Sequence, residues 1–149
     1  TMTYQTILVP IDGSETSLSV IPHVVEFAKA FNSKVIVAEV MTLDPYIAAE
    51  YLSGQQSNML IERARKFIED NLNTAKQKFV DAGVDVQTQI LEGESIHKTI
   101  TKAIDTLNID LVILSSNGRS GFQKFILGSV AQKLVTELTV PVMIIKKSA

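Results

Sequence analysis

The sequence predicts a three-layer α/β sandwich around a five-stranded, parallel, doubly wound sheet. Three observations lead there. Short apolar runs of strand length recur along the chain, at Thr6–Val9, Val35–Ala38, Leu111–Leu114 and Val142–Ile145. Such runs, apolar on both faces, are what a sheet covered by helices on each side requires. Between the runs lie segments with helical spacing of apolar residues, so strands and helices alternate as β-α-β-α-β-α-β-α-β. The 149 residues suit one domain, 1–149, able to bury about 70% of its unfolded surface.

Taken in order, Thr6–Val9 is a strand ended by Pro10, and Ile11-Asp12-Gly13-Ser14 is a turn. Ser14 is placed to cap a helix with the stripe Leu18, Ile21, Val25 and Ala28, which Pro22 should bend from inside. Val35–Ala38 is the second strand, running on to Val40. Met41 to Ser57 has no clear period and carries two turn signals, Asp44-Pro45 and Ser53-Gly54. A long helix follows with Leu60, Ala64, Phe67, Leu72, Ala75, Phe79 and Ala82 inward and Gly83 as its C-terminal cap. Val84, Val86, Thr88 and Ile90 alternate, as in a strand with one less buried face. Gly93-Glu94-Ser95 opens a helix with Ile96, Ile100, Ala103, Ile104 and Leu107 inward. After Leu111–Leu114 come a glycine-containing stretch, a helix from Ser129 to Leu138, and a last strand opened by Pro141.

Composition narrows the function. Apolar residues make up 46% of the chain and the net charge is −2, which favours neither nucleic acid nor an anionic membrane as partner. There are no cysteines, so disulfides, thiolate catalysis and zinc-cysteine sites are excluded. Thr1–Gln5 shows no basic region followed by an apolar core, and no apolar run approaches the roughly 20 residues of a membrane span, so a cytoplasmic protein is expected.

The richest stretch is Leu111 to Gln132. A buried strand runs into Ser115-Ser116-Asn117-Gly118, and Gly128-Ser129 then starts a helix. Glycines let a main chain approach a phosphate closely, and a helix N-terminus presents unpaired N–H groups and the positive end of its dipole. A nucleotide site is therefore expected here. Gly118 and Gly128 offer backbone N–H groups, and Ser129 adds a hydroxyl for a phosphate or a magnesium ion. Arg119 is the one cation inside the turn Ser115–Arg119, placed to pair with a phosphate; Lys124 is a weaker candidate. In doubly wound sheets ligands bind at the carboxyl ends of strands where the winding reverses. If the first and fourth strands are neighbours, Pro10-Ile11-Asp12 joins the site, with the Asp12 carboxylate accepting from a base amino group or ribose hydroxyl, or capping the next helix. His23 and His97 stand alone without metal-ligand spacing. The run Glu62, Arg63, Arg65, Lys66, Glu69, Asp70 reads as a solvated helix face. No phosphate-loop, nucleophile-turn or Gly-x-Gly-x-x-Gly motif is present, and no catalytic residue is assigned.

Three pieces, taken together and in order, resemble the universal stress protein family: Ile7-Leu8-Val9-Pro10-Ile11-Asp12-Gly13-Ser14-Glu15, Gly118-x9-Gly128-Ser129-Val130-Ala131, and Pro141–Ile145. The resemblance covers the whole chain. It implies a five-stranded sheet of order 3-2-1-4-5, of the adenine nucleotide alpha hydrolase-like kind, usually homodimeric. ATP-binding members show Gly-x2-Gly-x9-Gly-Ser/Thr; here Ser115 replaces the first glycine. The resemblance places Pro10, Ile11 and Asp12 near adenosine and the Val40 backbone at the adenine edge. It places Ser115, Gly118, Gly128, Ser129 and Val130 around the ribose and phosphates, with Asn117 and Arg119 in the same loop and a divalent ion such as Mg²⁺ on the phosphates. It also makes Val142–Ile145 the homodimer seam, as an open apolar edge strand would favour.

The leading expectation is an ATP-binding, dimeric stress-response sensor or regulator. The alternatives are a nucleotide-free interaction protein of the same fold, which Ser115 would favour, and an enzyme, either a slow ATPase or an adenylating enzyme. Adenylating enzymes of related fold often carry Ser-Gly-Gly-x-Asp-Ser after the first strand, where this chain has Pro10-Ile11-Asp12-Gly13-Ser14.

Overall fold

The computed structural model describes residues 4–42, 54–116 and 127–146, with side chains of the long helix from Asn58 onward. Five parallel strands, β1 (Thr6–Pro10), β2 (Lys34–Met41), β3 (Val86–Glu92), β4 (Leu111–Ser115) and β5 (Val142–Ile145), form one sheet in the order β3-β2-β1-β4-β5. Among the described residues the helices are α1 (Glu15–Leu18), α2 (Ile21–Phe31), α3 (Gly54–Asp81), α4 (Ile96–Thr106) and α5 (Ser129–Glu137).

Strand alternation divides the core in two. Ile7, Val9, Val35, Val37, Leu111 and Ile113 pack against Val24, Ala28, Leu72, Ala75 and Phe79 of α2 and α3. Leu8, Ile36, Ala38, Val112 and Leu114 pack against Ile100, Ile104, Ala131 and Leu134 of α4 and α5. Register between β1 and β4 is set by Asp110, whose carboxylate accepts from the backbone N–H groups of Gln5 (2.9 Å) and Thr6 (3.0 Å).

Several expectations need correction. Pro22 does not bend a continuous helix. The chain makes one turn, α1, capped by the Ser14 side chain, and α2 then starts afresh with Pro22 in its first turn. A proline has no N–H and its ring clashes with the carbonyl four residues back, so a first turn accommodates it and an interior does not. Leu60 and Phe67 are 44% and 52% exposed, because the buried face of α3 is set by Ile68, Leu72, Ala75 and Phe79. Gly54 belongs to α3 rather than to a turn, and Val84 precedes β3. Gly83, at φ +77, does end the helix: the N–H groups of Gly83 and Val84 donate to the carbonyls of Val80 and Phe79. Asn108, at φ 54, closes α4 in the same way. On the solvated face of α3, Lys66 pairs with Asp70 at 2.9 Å and Arg65 with Glu92 at 2.7 Å. His97 Nδ1 meets Glu137 Oε2 at 3.0 Å, joining α4 to α5, while His23 is exposed.

Candidate functional site

The site begins with one missing hydrogen. In β1 the odd-numbered residues hydrogen-bond towards β2, as the Ile11 N–H does to the Ala38 carbonyl at 2.8 Å. The even-numbered residues face β4, as the Thr6 carbonyl does in accepting from Asp110 N–H at 3.1 Å. Pro10 therefore turns towards β4 a nitrogen with nothing to donate. The β1–β2 ladder runs to Pro10 and Ala38, but the β1–β4 ladder stops at Leu8 and Val112. The strands part where the winding reverses, and a cleft of about 460 Å³ opens there. That volume suits a small-molecule ligand.

Pro10, Ile11, Asp12, Val40, Ser115, Gly128, Ser129 and Val130 all line this cleft. Asn117, Gly118 and Arg119, with Lys124, lie outside the described residues. The cleft has two characters. Towards β3 its wall is mainly apolar, with Val40, Leu91 and Ile96 beside Thr42. Towards β4 and α5 it is polar, with Ser115, Ser116 and Ser129. Ile96 was expected inward; it is 41% exposed, because it stands at the mouth of the cleft.

Asp12 does local work. Its Oδ1 accepts from the Ser14 N–H at 2.9 Å, and its own N–H donates to Ser17 Oγ at 3.3 Å. The helix cap itself is Ser14, whose Oγ accepts from the Ser17 N–H at 3.0 Å. The turn that aims Asp12 depends on Gly13, at φ +84, a conformation that side chains other than glycine resist.

At α5 the expected role of Gly128 changes. Its N–H donates to the Ser116 carbonyl at 2.7 Å and so is not offered to a ligand. Its backbone, at φ −62 and ψ 157, makes it the N-cap of α5, and among the described residues no side chain caps that helix. The first helical bond runs from Gln132 N–H to the Gly128 carbonyl. The first-turn N–H groups that can meet an anion are thus those of Ser129, Val130 and Ala131. By contrast, α1 and α4 are capped by Ser14 and Ser95.

Sequence reasoning missed Ser116. It is 5% exposed, it lines the cleft, and its Oγ has no hydrogen-bond partner among the described residues. A buried hydroxyl without a partner is unfavourable and calls for an explanation. The signal was available in the alternation of β4: Val112 and Leu114 face α4 and α5, so Ser116 follows on that side. An uncapped helix start beside a buried, unpartnered hydroxyl fits an anionic group such as a phosphate. Among the described residues, no group of three or more His, Cys, Asp or Glu side chains converges to hold a metal, and no helix is long and apolar enough to cross a membrane.

A family profile described as the Universal stress protein family matches residues 3–146. The chain is 29% identical over 145 residues to Universal stress protein MJ0531 of Methanocaldococcus jannaschii, covering 97% of this chain and 83% of that one. The solved structure of hypothetical protein MJ0577 superposes with a TM-score of 0.82 at 26% identity, covering 98% of each chain. A universal stress protein solved in complex with cAMP superposes with a TM-score of 0.68 at 24% identity, over 98% of this chain and 99% of that one.

Proposed function

We propose, from the premise that the chain belongs to the universal stress protein family, that it binds an adenine nucleotide, ATP with a divalent ion such as Mg²⁺, in the cleft between β1 and β4, and serves as a cytoplasmic, homodimeric stress-response sensor or regulator. One observation carries the reading: the first turn of α5 opens uncapped into a cleft of nucleotide size at the point where the sheet winding reverses. The complex of a fold neighbour with cAMP supports the choice of an adenine nucleotide.

The base lies against Val40, Leu91 and Ile96, with the Val40 backbone at its polar edge, and Pro10, Ile11 and Asp12 flank the adenosine. Ser115, Gly118, Ser129 and Val130 hold the ribose and phosphates, Gly128 contributes close approach of its backbone rather than its N–H, and Asn117 and Arg119 complete the loop. The divalent ion rides on the phosphates, with the Ser129 hydroxyl as a candidate ligand. β5 is one of the two edge strands of the sheet, and its residues Val142–Ile145 are half-buried apolar side chains, which supports it as the seam of a homodimer.

Thermal unfolding with ATP and Mg²⁺, beside GTP, AMP and no ligand, tests the reading. A ligand at a hundred times its dissociation constant adds about 2.7 kcal/mol, or about 5–10 °C in the midpoint for a chain of this size. A shift with ATP larger than with GTP is expected. No shift at millimolar ATP, in protein free of carried-over nucleotide, would turn the reading towards a nucleotide-free interaction protein, with Ser115 as the residue to examine.

A further inference from the structure

We propose that Ser116 is a specificity-determining contact of this cleft: its hydroxyl donates to a phosphate oxygen of the bound nucleotide, so that the site selects phosphorylated adenosine over adenosine itself. The inference rests on the nucleotide reading above and adds to it a residue at an unspecified position of the glycine pattern, between Ser115 and Gly118, and the selectivity that residue confers.

Three observations carry it. The first is the unpartnered hydroxyl. At 5% exposure Ser116 Oγ has lost its water, and no described residue replaces it, yet the side chain lines the cleft. Among the described residues nothing satisfies the hydroxyl, and a ligand oxygen would. The second is placement. The Ser116 carbonyl accepts from Gly128 N–H at 2.7 Å, so the residue sits directly at the N-cap of α5. An anion drawn to the uncapped first turn of that helix comes to the same end of the cleft. The adenine wall, at Val40 and Leu91, is across the sheet on β2 and β3. The third is rigidity. The Ser116 N–H donates to the Ile145 carbonyl at 3.0 Å, so both backbone groups of the residue are held and only the side-chain torsion is left to set. A donor held in this way loses little freedom on binding.

A hydroxyl bonded within the protein and a hydroxyl kept for a ligand respond oppositely to removal. Ser116→Ala deletes the hydroxyl and keeps the volume close. If the hydroxyl serves the ligand, the free variant unfolds at the same temperature as the wild type or a few degrees higher, because a buried unsatisfied group is gone. Its affinity for ATP and AMP falls about tenfold, since a hydrogen bond to a charged group is worth about one decade or more. Its affinity for adenosine is unchanged. The experiment is calorimetric titration of wild type and Ser116→Ala with ATP, AMP and adenosine, beside thermal unfolding of both without ligand. Equal weakening for all three ligands, unchanged affinity for all three, or a lowered unfolding temperature of the free variant would each overturn the assignment. A wild type that binds ATP while the variant matches it defeats Ser116 alone; a wild type that binds none of the three defeats the nucleotide reading and this inference with it.

Discussion

Asn71 Nδ2 donates to Glu39 Oε1 at 3.1 Å, tying the middle of α3 to β2 at a carboxylate that is 6% exposed. The same amide supports the turn beside the cleft. A Cβ built on Gly13 would lie 2.5 Å from Asn71 Nδ2, so the Gly13 backbone rests directly on that side chain. Gly13 also sits at φ +84. Gly13→Ala therefore meets both backbone strain and a steric clash, and should destabilise the protein by about 2–3 kcal/mol. Denaturant unfolding checks the loss. In a double-mutant cycle with Asn71→Ala, part of it should be recovered, because only the clash is relieved and the strain stays.

Gly128 is a different kind of glycine. Its φ of −62 and ψ of 157 are open to any residue, including β-branched ones. Gly128→Val should leave the unfolding midpoint within a few degrees of the wild type while weakening ATP at least tenfold, about 1.4 kcal/mol or more, by holding the ligand off the first turn of α5. Circular dichroism melts and calorimetric titration separate the two effects; unchanged ATP affinity would remove Gly128 from the site.

Ile96 tests the opposite end of the cleft. It is the first residue of α4, and it is exposed until something covers it. Ile96→Asp places a carboxylate in the first turn of a helix, where the dipole favours it, so the free protein should keep its stability. ATP and adenosine should both weaken, by about five- to tenfold, from lost apolar burial of order 1 kcal/mol. Here adenosine suffers with ATP, whereas Ser116→Ala spares it, so the two variants together map which end of the ligand lies where.

The homodimer is tested at β5. The carbonyls of Pro141 and Ile145 accept from the N–H groups of Val112 in β4 and of Ser116 just after it, so by alternation the backbone groups of Val142 and Ile144 face outward. Ile144→Pro removes an outward N–H without breaking the ladder to β4. Sedimentation should show a dimer for the wild type and a monomer for Ile144→Pro. A wild-type monomer at micromolar concentration would rule out this seam.

Much of the arrangement could be read from local pattern. Buried strands announce themselves as apolar runs, so β1, β2, β4 and β5 were legible within a residue or so at most ends. Helix ends with dedicated chemistry were legible too, at Ser14, Ser95 and Gly83. The failures share a cause. Leu60 and Phe67 fit an apolar stripe about as well as Ile61 and Ile68 do, and only the angle at which α3 meets the sheet chooses between them. Pro22 fits an interior helical position by spacing, and only the break at Ser19 and Val20 shows it opening a new helix.

The sequence by itself determined the class of fold and where to look for a ligand. Strand-length apolar runs alternating with helical periods admit few parallel sheets, and glycine-serine at a helix start after a buried strand is an arrangement suited to an anion. Tertiary structure decided what those residues do to one another. Only once β1 lies beside β4 does the missing hydrogen of Pro10 become a gap between strands, and so a cleft. Only once Ser116 lies beside the start of α5 is the Gly128 N–H consumed within the protein and the neighbouring hydroxyl left without a partner among the described residues. Pairings of this kind join residues far apart in the chain, and spacing along a sequence carries no record of which groups meet across a sheet.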